Sequence, residues 1–420
     1  MKTLLIGNGA RENALSWKLS DSPLISKLFV APGNAGTSRY AENVQISPID
    51  LDQLLKFVEK NEIEFTVVGP EAPLAEGVVD LFQSRGHIIF GPDMNASRIE
   101  SSKVFSKAIM LANGIPTGKA KWFSAYEDAL QYISSITSPI VIKADGLASG
   151  KGVVIAENVN VAEDTLRKMM VDGSLGTAGD RILVEEFLEG KEVSVFAFVD
   201  GEYVSPMIAA CDYKRLCDGD SGPNTGGMGS YSPPGELHWN EELELRVRSE
   251  IMEPIARAMH AEGSSYKGLL YLGLMLTSSG PKVIEFNCRF GDPETQVVLP
   301  RLESDLAKIM YSTATGNLRG EKITWNFDAC VGVVLASEGY PESPALGKDI
   351  KGLSDVDDDV YIFQAGTKIS QGKTVTSGGR VLTVTARGET LAEARSKVYD
   401  NVRRIKFQGS FFRTDIAAGM

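Results

Sequence analysis

Between residue 1 and about residue 95 the sequence alternates short apolar runs with amphipathic helical stretches, and that rhythm argues for an open parallel sheet covered by helices. Strands are expected at Thr3–Ile6, Lys27–Val30, Phe65–Val68 and Ile88–Phe90. Leu51, Leu54, Leu55 and Val58 mark one helix face, and Leu74, Val78, Leu81 and Phe82 another. Ligands of such sheets gather at the carboxyl ends of the strands. That places Gly33-Asn34-Ala35-Gly36-Thr37 and Gly69-Pro70-Glu71-Ala72-Pro73 at a binding edge. The opening Gly7-Asn8-Gly9-Ala10-Arg11-Glu12 invites a dinucleotide reading, but Glu12 occupies the position of the third small residue. What remains is either a plain tight turn or a glycine turn that holds a phosphate with backbone N–H groups.

At 420 residues the chain is long for one core, and two to four domains are expected. Its net charge of -12 argues against nucleic-acid binding, which needs a basic surface. No apolar run approaches the roughly 18 residues of a spanning helix, and the first residues lead directly into a strand, so neither membrane nor secretion signal is expected and the cytoplasm is the default. Cys211, Cys217, Cys288 and Cys330 form no Cys-x-x-Cys pair, which disfavours a disulfide framework and a zinc site. Of the three histidines, His87, His238 and His260, the last two read as surface positions, so histidine general-base catalysis is not expected.

From about 101 to 325 the texture changes. A helix is expected over Ser101–Ala112, then strand, glycine loop and strand over Ile140–Val153. The loop Gly146–Gly152 is no Walker motif, because neither Ser nor Thr follows Gly150-Lys151. A mobile glycine loop between antiparallel strands closes over phosphates as a lid, with Lys143 and Lys151 as counter-charges. Residues 182–192 read as a strand running into a linker, able to meet an adenine edge, with Glu192 for ribose hydroxyls. Residues 212–229 read as a long glycine-rich loop, and loops of that length are functional or disordered. Along Val283–Glu294, strand alternation points Ile284 and Phe286 one way and Glu285, Asn287 and Arg289 the other. Glu285 and Asn287 offer a hard cation carboxylate and amide oxygen, while Arg289 neutralises an oxyanion beside them. A half-buried edge strand with solvated polar residues is the plain alternative. From about 326 a final α+β unit follows, with strands at 329–336, 360–363 and 380–385 and a helix over 391–404.

Taken together, Lys143–Val153, Asp212–Pro233, Glu285–Gln296, Gly332–Pro341 and Gly378–Leu382 resemble the ATP-grasp superfamily, and within it the phosphoribosylamine–glycine ligase (glycinamide ribonucleotide synthetase) family, along the whole chain. The resemblance implies an N-terminal α/β domain over 1–100, an ATP-grasp domain over 101–325 with a lid subdomain at about 120–190, and a C-terminal α+β domain over 326–420. It implies joining of glycine to 5-phosphoribosylamine with ATP and Mg²⁺ or Mn²⁺, through glycyl phosphate, by a monomer or weak homodimer. Glu285 and Asn287 would hold the metal, and Arg289 the acyl phosphate. Lys103, Lys143, Gly146, Ser149, Gly150, Lys151, Gly152, Glu185, Phe187, Leu188 and Glu192 would hold ATP. Asp212, Asp292 and Glu294, with Gly291 and Pro293, would take glycine; Gly9, Asn34, Gly36, Thr37, Pro70, Glu71 and Lys214 would take phosphoribosylamine. Asn224, Thr225, Gly226, Gly227 and Met228 form the substrate loop.

The chain departs from the family's usual motifs where histidine is replaced, at Asn13, Tyr213 and Gln364, and where Ala10 replaces glycine. Ala10 would be strained if its φ were positive. Another ATP-grasp ligase or carboxylase, or a nucleotide-binding relic, are the rival readings. The relic predicts lost metal ligands, whereas Glu285 and Asn287 are present. The sequence ends near the family's usual terminus, so no fused later activity is expected.

Overall fold

The structure is a computed structural model that describes residues 1–148, 152–237 and 239–419. Its first unit is a parallel sheet of β1 (Lys2–Gly7), β2 (Lys27–Pro32), β3 (Glu42–Asn43), β4 (Phe65–Val68) and β5 (Ile89–Phe90), in the order β3-β2-β1-β4-β5. The chain reverses its winding direction at β1, so the β1 and β4 carboxyl ends flank a crevice. Helix α1 (Ala10–Ser20) starts at that crevice, and α2 (Leu51–Asn61) packs Leu54, Leu55 and Val58 into the core. The expected helix around Leu74–Phe82 is two helices, α3 (Glu71–Ala75) and α4 (Val78–Ser84), because Gly77 between them has φ +81°. Ala10 is the first residue of α1 and carries no left-handed strain.

Next, α5 (Met94–Ser101) and α6 (Lys103–Ala112) replace the single helix expected from Ser101. Ser102 breaks them and caps α6, its Oγ accepting from Phe105 N–H at 3.1 Å. A four-stranded antiparallel sheet follows, made of β6 (Ala120–Phe123), β7 (Ile140–Ala144), β8 (Val153–Ala156) and β9 (Ile182–Glu186), in the order β6-β9-β7-β8. It has its own core of Phe123, Ile142, Leu166, Ile182 and Val184.

The body is built on β10 (Lys191–Asp200), β11 (Tyr203–Val204), β12 (Ile208–Asp212), β13 (Arg215–Cys217), β14 (Ser221–Asn224), β15 (Gly229–Ser232), β16 (Lys267–Thr277) and β17 (Gly280–Asn287). The C-terminal strands are β18 (Ala329–Ala336), β19 (Val360–Gln364), β20 (Thr367–Ser370), β21 (Lys373–Thr376) and β22 (Arg380–Gly388). Among the described residues one large sheet runs β17-β16-β10-β12-β15-β18-β22-β19, with β11 beside β10. Pairing of β15 with β18 carries this sheet across residue 326. Residues 212–229, expected as a loop, are a hairpin arm: Thr225 N–H donates to Lys214 O (2.7 Å), Met228 N–H to Tyr213 O (2.7 Å), and β13 pairs with β14. Backbone pairing, invisible in a glycine-rich composition, is what orders it.

Candidate active site

Edge strand β17 carries the polar row. Its ladder with β16 shifts between Gly273 and Leu274, and the extra residue is Ile284. The expected partnership of Ile284 with Phe286 is therefore corrected: Val283 and Phe286 share the core, and Ile284 is bulged. Past the bulge the row holds. Asn287 Nδ2 donates to Glu285 Oε1 at 3.4 Å, and Arg289 Nη2 donates to Asn287 Oδ1 at 3.1 Å. Burial raises the Glu285 pKa, but Lys214, Lys143 and Lys103 outweigh it and hold the carboxyl below its ordinary value.

Lys143 lies on β7, Lys103 opens α6 and Lys214 comes from the arm. Lys103 Nζ donates to Gly146 O at 2.8 Å, and burial, only partly offset by Glu285, lowers its pKa. Lys143 Nζ donates to Ile284 O (3.1 Å) and pairs with Glu185 Oε2 at 2.5 Å. The other Glu185 oxygen pairs with Lys107 at 2.7 Å. Glu185, expected beside adenosine, thus has both oxygens occupied by buried lysines. Lys107 was missed in the sequence, although its place four residues after Lys103 puts both lysines on one helix face. Phe187 is partly exposed just beyond β9, with Leu188 next to it. Gly152 is described and its carbonyl accepts from Ala144 N–H (2.8 Å), whereas Ser149, Gly150 and Lys151 lie outside the described residues. Glu192, expected on ribose, is ion-paired with Lys214 from the arm.

Arg289 meets the N-terminal unit. Its Nε lies 3.0 Å from Glu71 and its Nη2 3.1 Å from Glu100. Glu71 begins α3 just after Pro70, so this expected substrate residue is a partner of Arg289. Glu100, missed in the sequence, also accepts from Cys288 N–H at 2.7 Å, and burial raises its pKa. Although burial alone would raise the Glu71 carboxyl, Arg289 and Arg11 bring it down to about 2. A depressed carboxyl stabilises the fold above its ordinary pKa near 4.5 and loses that contribution as pH falls toward 2. Urea unfolding of Glu71→Gln and the parent should therefore converge as pH is lowered from 7 to 3; a constant gap would remove the ion pair.

Asp292 gathers donors from three directions: Arg11 N–H (3.2 Å), Gln296 Nε2 (2.9 Å) and Arg380 Nη1 (3.2 Å). The same Arg380 nitrogen donates to Asp292 O at 2.8 Å and to Gly226 O at 2.5 Å. A Cβ at Gly226 would strike Arg380, and one at Gly227 (φ +109°) would strike Pro293. Gly291 likewise leaves space for the Glu294 carboxylate, which accepts from Tyr271 OH (2.8 Å) and Ser194 Oγ (3.2 Å). Burial, reinforced by Glu294, Glu192 and Glu285 against Lys214, pushes the Asp212 carboxyl up to about 7. Arg380→Ala should free the turn at Gly226, since its guanidinium holds the Gly226 and Asp292 carbonyls, and limited proteolysis within residues 212–229 should accelerate by roughly tenfold. An unchanged cutting rate would show that Arg380 does not hold the turn.

At the first crevice Glu12 explains the failed dinucleotide pattern. It is buried, accepts from Gly9 N–H at 2.6 Å, pairs with Arg11 at 2.6 Å, and fills space that a Cβ at Gly7 or Gly69 would invade. Asn34 Nδ2 donates to Asn8 O (2.9 Å) and Gln364 O (2.7 Å), and its Oδ1 accepts from Gly36 N–H (2.7 Å) and Thr37 N–H (3.0 Å). The buried Thr37 hydroxyl donates to Asn34 O at 2.9 Å. These side chains shape the loop together with its backbone, since the Gly9 and Gly36 N–H groups are themselves taken by Glu12 and Asn34. Two departures from the family motifs meet here: Gln364 N–H donates to Asn13 Oδ1 at 2.7 Å.

A small antiparallel sheet whose Lys143 reaches an edge strand bearing a carboxylate and an amide, with an arginine just beyond it, is the arrangement of an ATP-grasp enzyme. Profiles of the phosphoribosylglycinamide synthetase N domain, ATP-grasp (A) domain and C domain match residues 1–100, 101–295 and 330–419. The chain belongs to the phosphoribosylglycinamide synthetase family. It is 47% identical to a phosphoribosylamine–glycine ligase of Caldanaerobacter subterraneus, covering 100% of both chains. It is 49% identical to that of Pseudomonas aeruginosa, covering 99% of this chain and 97% of the relative. The crystal structure of phosphoribosylamine–glycine ligase from Thermotoga maritima superposes with a TM-score of 0.87 at 33% identity, over 99% of this chain and 100% of that one. A biotin carboxylase from Campylobacter jejuni, at 17% identity and a TM-score of 0.76 over 99% of this chain and 94% of that one, shares the fold.

Proposed function

We propose that this enzyme joins glycine to 5-phosphoribosylamine at the expense of ATP, giving glycinamide ribonucleotide, ADP and phosphate in purine biosynthesis. The observation that carries this reading is the match to one ligase family through all three domains. Glycine's carboxylate is a poor electrophile; transfer of the γ-phosphoryl group converts it to glycyl phosphate, whose leaving group is phosphate. Attack by the amine of phosphoribosylamine then expels phosphate and forms the amide, with loss of one amine proton. Such chemistry is driven by positioning and charge neutralisation.

Lys103 and Lys143, converging on Gly146 and Ile284, support a role in holding ATP phosphates beneath the lid. Glu285 and Asn287 are the hard oxygen donors that would hold Mg²⁺ or Mn²⁺ beside the ATP phosphates. Such a cation supplies charge neutralisation at the phosphates. Arg289 steadies the acyl phosphate, which requires it to turn from Glu71 or Glu100. Asp292 and Glu294 already accept from protein donors, so Asp212 is the better placed carboxylate for the glycine ammonium group. Gly9, Asn34, Gly36, Thr37 and Pro70 follow the carboxyl ends of β1, β2 and β4, and that position supports a role for this edge in receiving phosphoribosylamine.

The test is ADP release by purified protein with ATP, Mg²⁺, glycine and freshly generated phosphoribosylamine, leaving out each in turn. Turnover that needs glycine and the amine together is expected. ADP formation with bicarbonate in place of glycine would instead indicate a carboxylase.

A further inference from the structure

Building on the ligase reading, we propose that residues 411–419 are a clamp that positions the hairpin arm, and through it Lys214 and the Thr225–Met228 turn, for the ligation. Beyond Lys214 the arm consists of β13 and β14, which pair only with each other among the described residues. Two short strands alone are marginal in water. Outside contacts fix their position: Arg380 and the Tyr340 hydroxyl hold the turn at Gly226, and the tail holds the arm at Tyr213, Arg215, Asp218 and Gly219.

Arg413 Nη1 donates to Arg215 O at 2.9 Å. Thr414 N–H donates to Asp218 Oδ1 at 2.8 Å, and Gly219 N–H donates to Asp415 Oδ2 at 2.9 Å. Ala417 N–H donates to the Tyr213 hydroxyl at 2.9 Å, while the Arg413 guanidinium lies 4.8 Å from the Tyr213 ring centre. Both chain neighbours of Lys214 are therefore gripped by the tail. Arg413 is itself fixed by Asp415, at 2.8 Å from Nε and 2.7 Å from Nη2, and is only 2% exposed.

The tail is anchored on the C-terminal unit. Phe411 exchanges backbone bonds with Ala336 of β18 at 3.1 and 2.9 Å. Tyr399 OH donates to Arg413 O at 2.8 Å, and Arg395 donates to Thr414 O at 2.7 Å. Both residues lie on the helix Leu391–Val402. A continuous path thus runs from that helix through Arg413 to the arm and the Lys214–Glu192 ion pair. Burying a guanidinium is costly unless its partners are held in place, so it locks one arrangement of the arm. Arg413 is a positioning residue that acts through Lys214 and the turn.

The experiment compares full-length Arg413→Ala and Arg413→Lys with the parent, by steady-state kinetics, ATP affinity and limited trypsin digestion. Lys214 and Arg215 are tryptic sites inside the arm, so cutting there reports its release independently of the reaction. For Arg413→Ala the apparent KM for glycine should rise by roughly tenfold, ATP affinity should stay within about twofold, and cutting in the arm should accelerate by roughly tenfold. Arg413→Lys, which keeps the charge but loses the fork, should fall between. Should Arg413→Ala fail to fold, Asp218→Ala, at an exposed position, removes the acceptor of Thr414 and should move the same readouts in the same direction. Unchanged cutting and unchanged KM would overturn the clamp, as would equal losses of ATP and glycine binding. Glycine-dependent turnover of the parent checks the ligase reading separately.

Discussion

Glu285→Gln should leave ATP affinity within roughly threefold of the parent while turnover falls by about 10³-fold or more, the scale expected when a preorganised charge interaction at a phosphoryl-transfer site is lost. The substitution keeps the shape and one carbonyl oxygen, so Asn287 Nδ2 retains an acceptor. It removes the negative charge that Lys214, Lys143 and Lys103 surround. Those three cations would then face one another without that counter-charge, which favours ATP phosphates and disfavours the cation. Separate measurement of ATP binding and ADP release distinguishes the two effects. A variant with parental turnover would eliminate Glu285 as the metal ligand.

Glu185→Gln should destabilise the protein by about 3–5 kcal/mol, the cost of leaving buried charge without its partner. Lys107 and Lys143 have side chains only 2% and 6% exposed, and each pairs with one Glu185 oxygen. Burial already lowers the Lys107 pKa in the parent, with Glu185 acting against it. Without Glu185 the folded state would hold its proton still less tightly than the unfolded chain. A lysine whose folded pKa is depressed destabilises the fold while it stays charged, and the penalty shrinks as pH rises. The deficit in urea unfolding should accordingly be larger at pH 7 than at pH 9.5. A loss under about 1 kcal/mol at pH 7 would mean the pair is solvated and weak.

The polar row and the two glycines of the arm are legible in the sequence because they lie on contiguous segments. Glu285 and Asn287 fall on one side of one strand by alternation, Arg289 follows two residues past its end, and the hydrogen bonds among them keep that order. Gly226 and Gly227 announce themselves by being glycine, for reasons the structure supplies in Arg380 and Pro293. Other parts were illegible because their partners are remote. Glu100 meets Cys288 across 188 positions, and Arg380 meets Gly226 across 154. Neither residue has a local pattern that distinguishes it from a solvated charge. From sequence the arm at 212–229 reads as a loop, because its pairing is backbone to backbone, which composition does not encode.

The sequence by itself determined the parallel first sheet and the polar row that runs along β17 to Arg289, since periodicity and turn chemistry act over a few residues. Tertiary structure alone decided which charges are paired. Glu185 joins Lys107 to Lys143, Glu71 and Glu100 hold Arg289, and Arg413 grips the arm. The physical reason is that a charge's worth depends on burial and on the distance to its counter-charge, and both are set only when distant segments pack together.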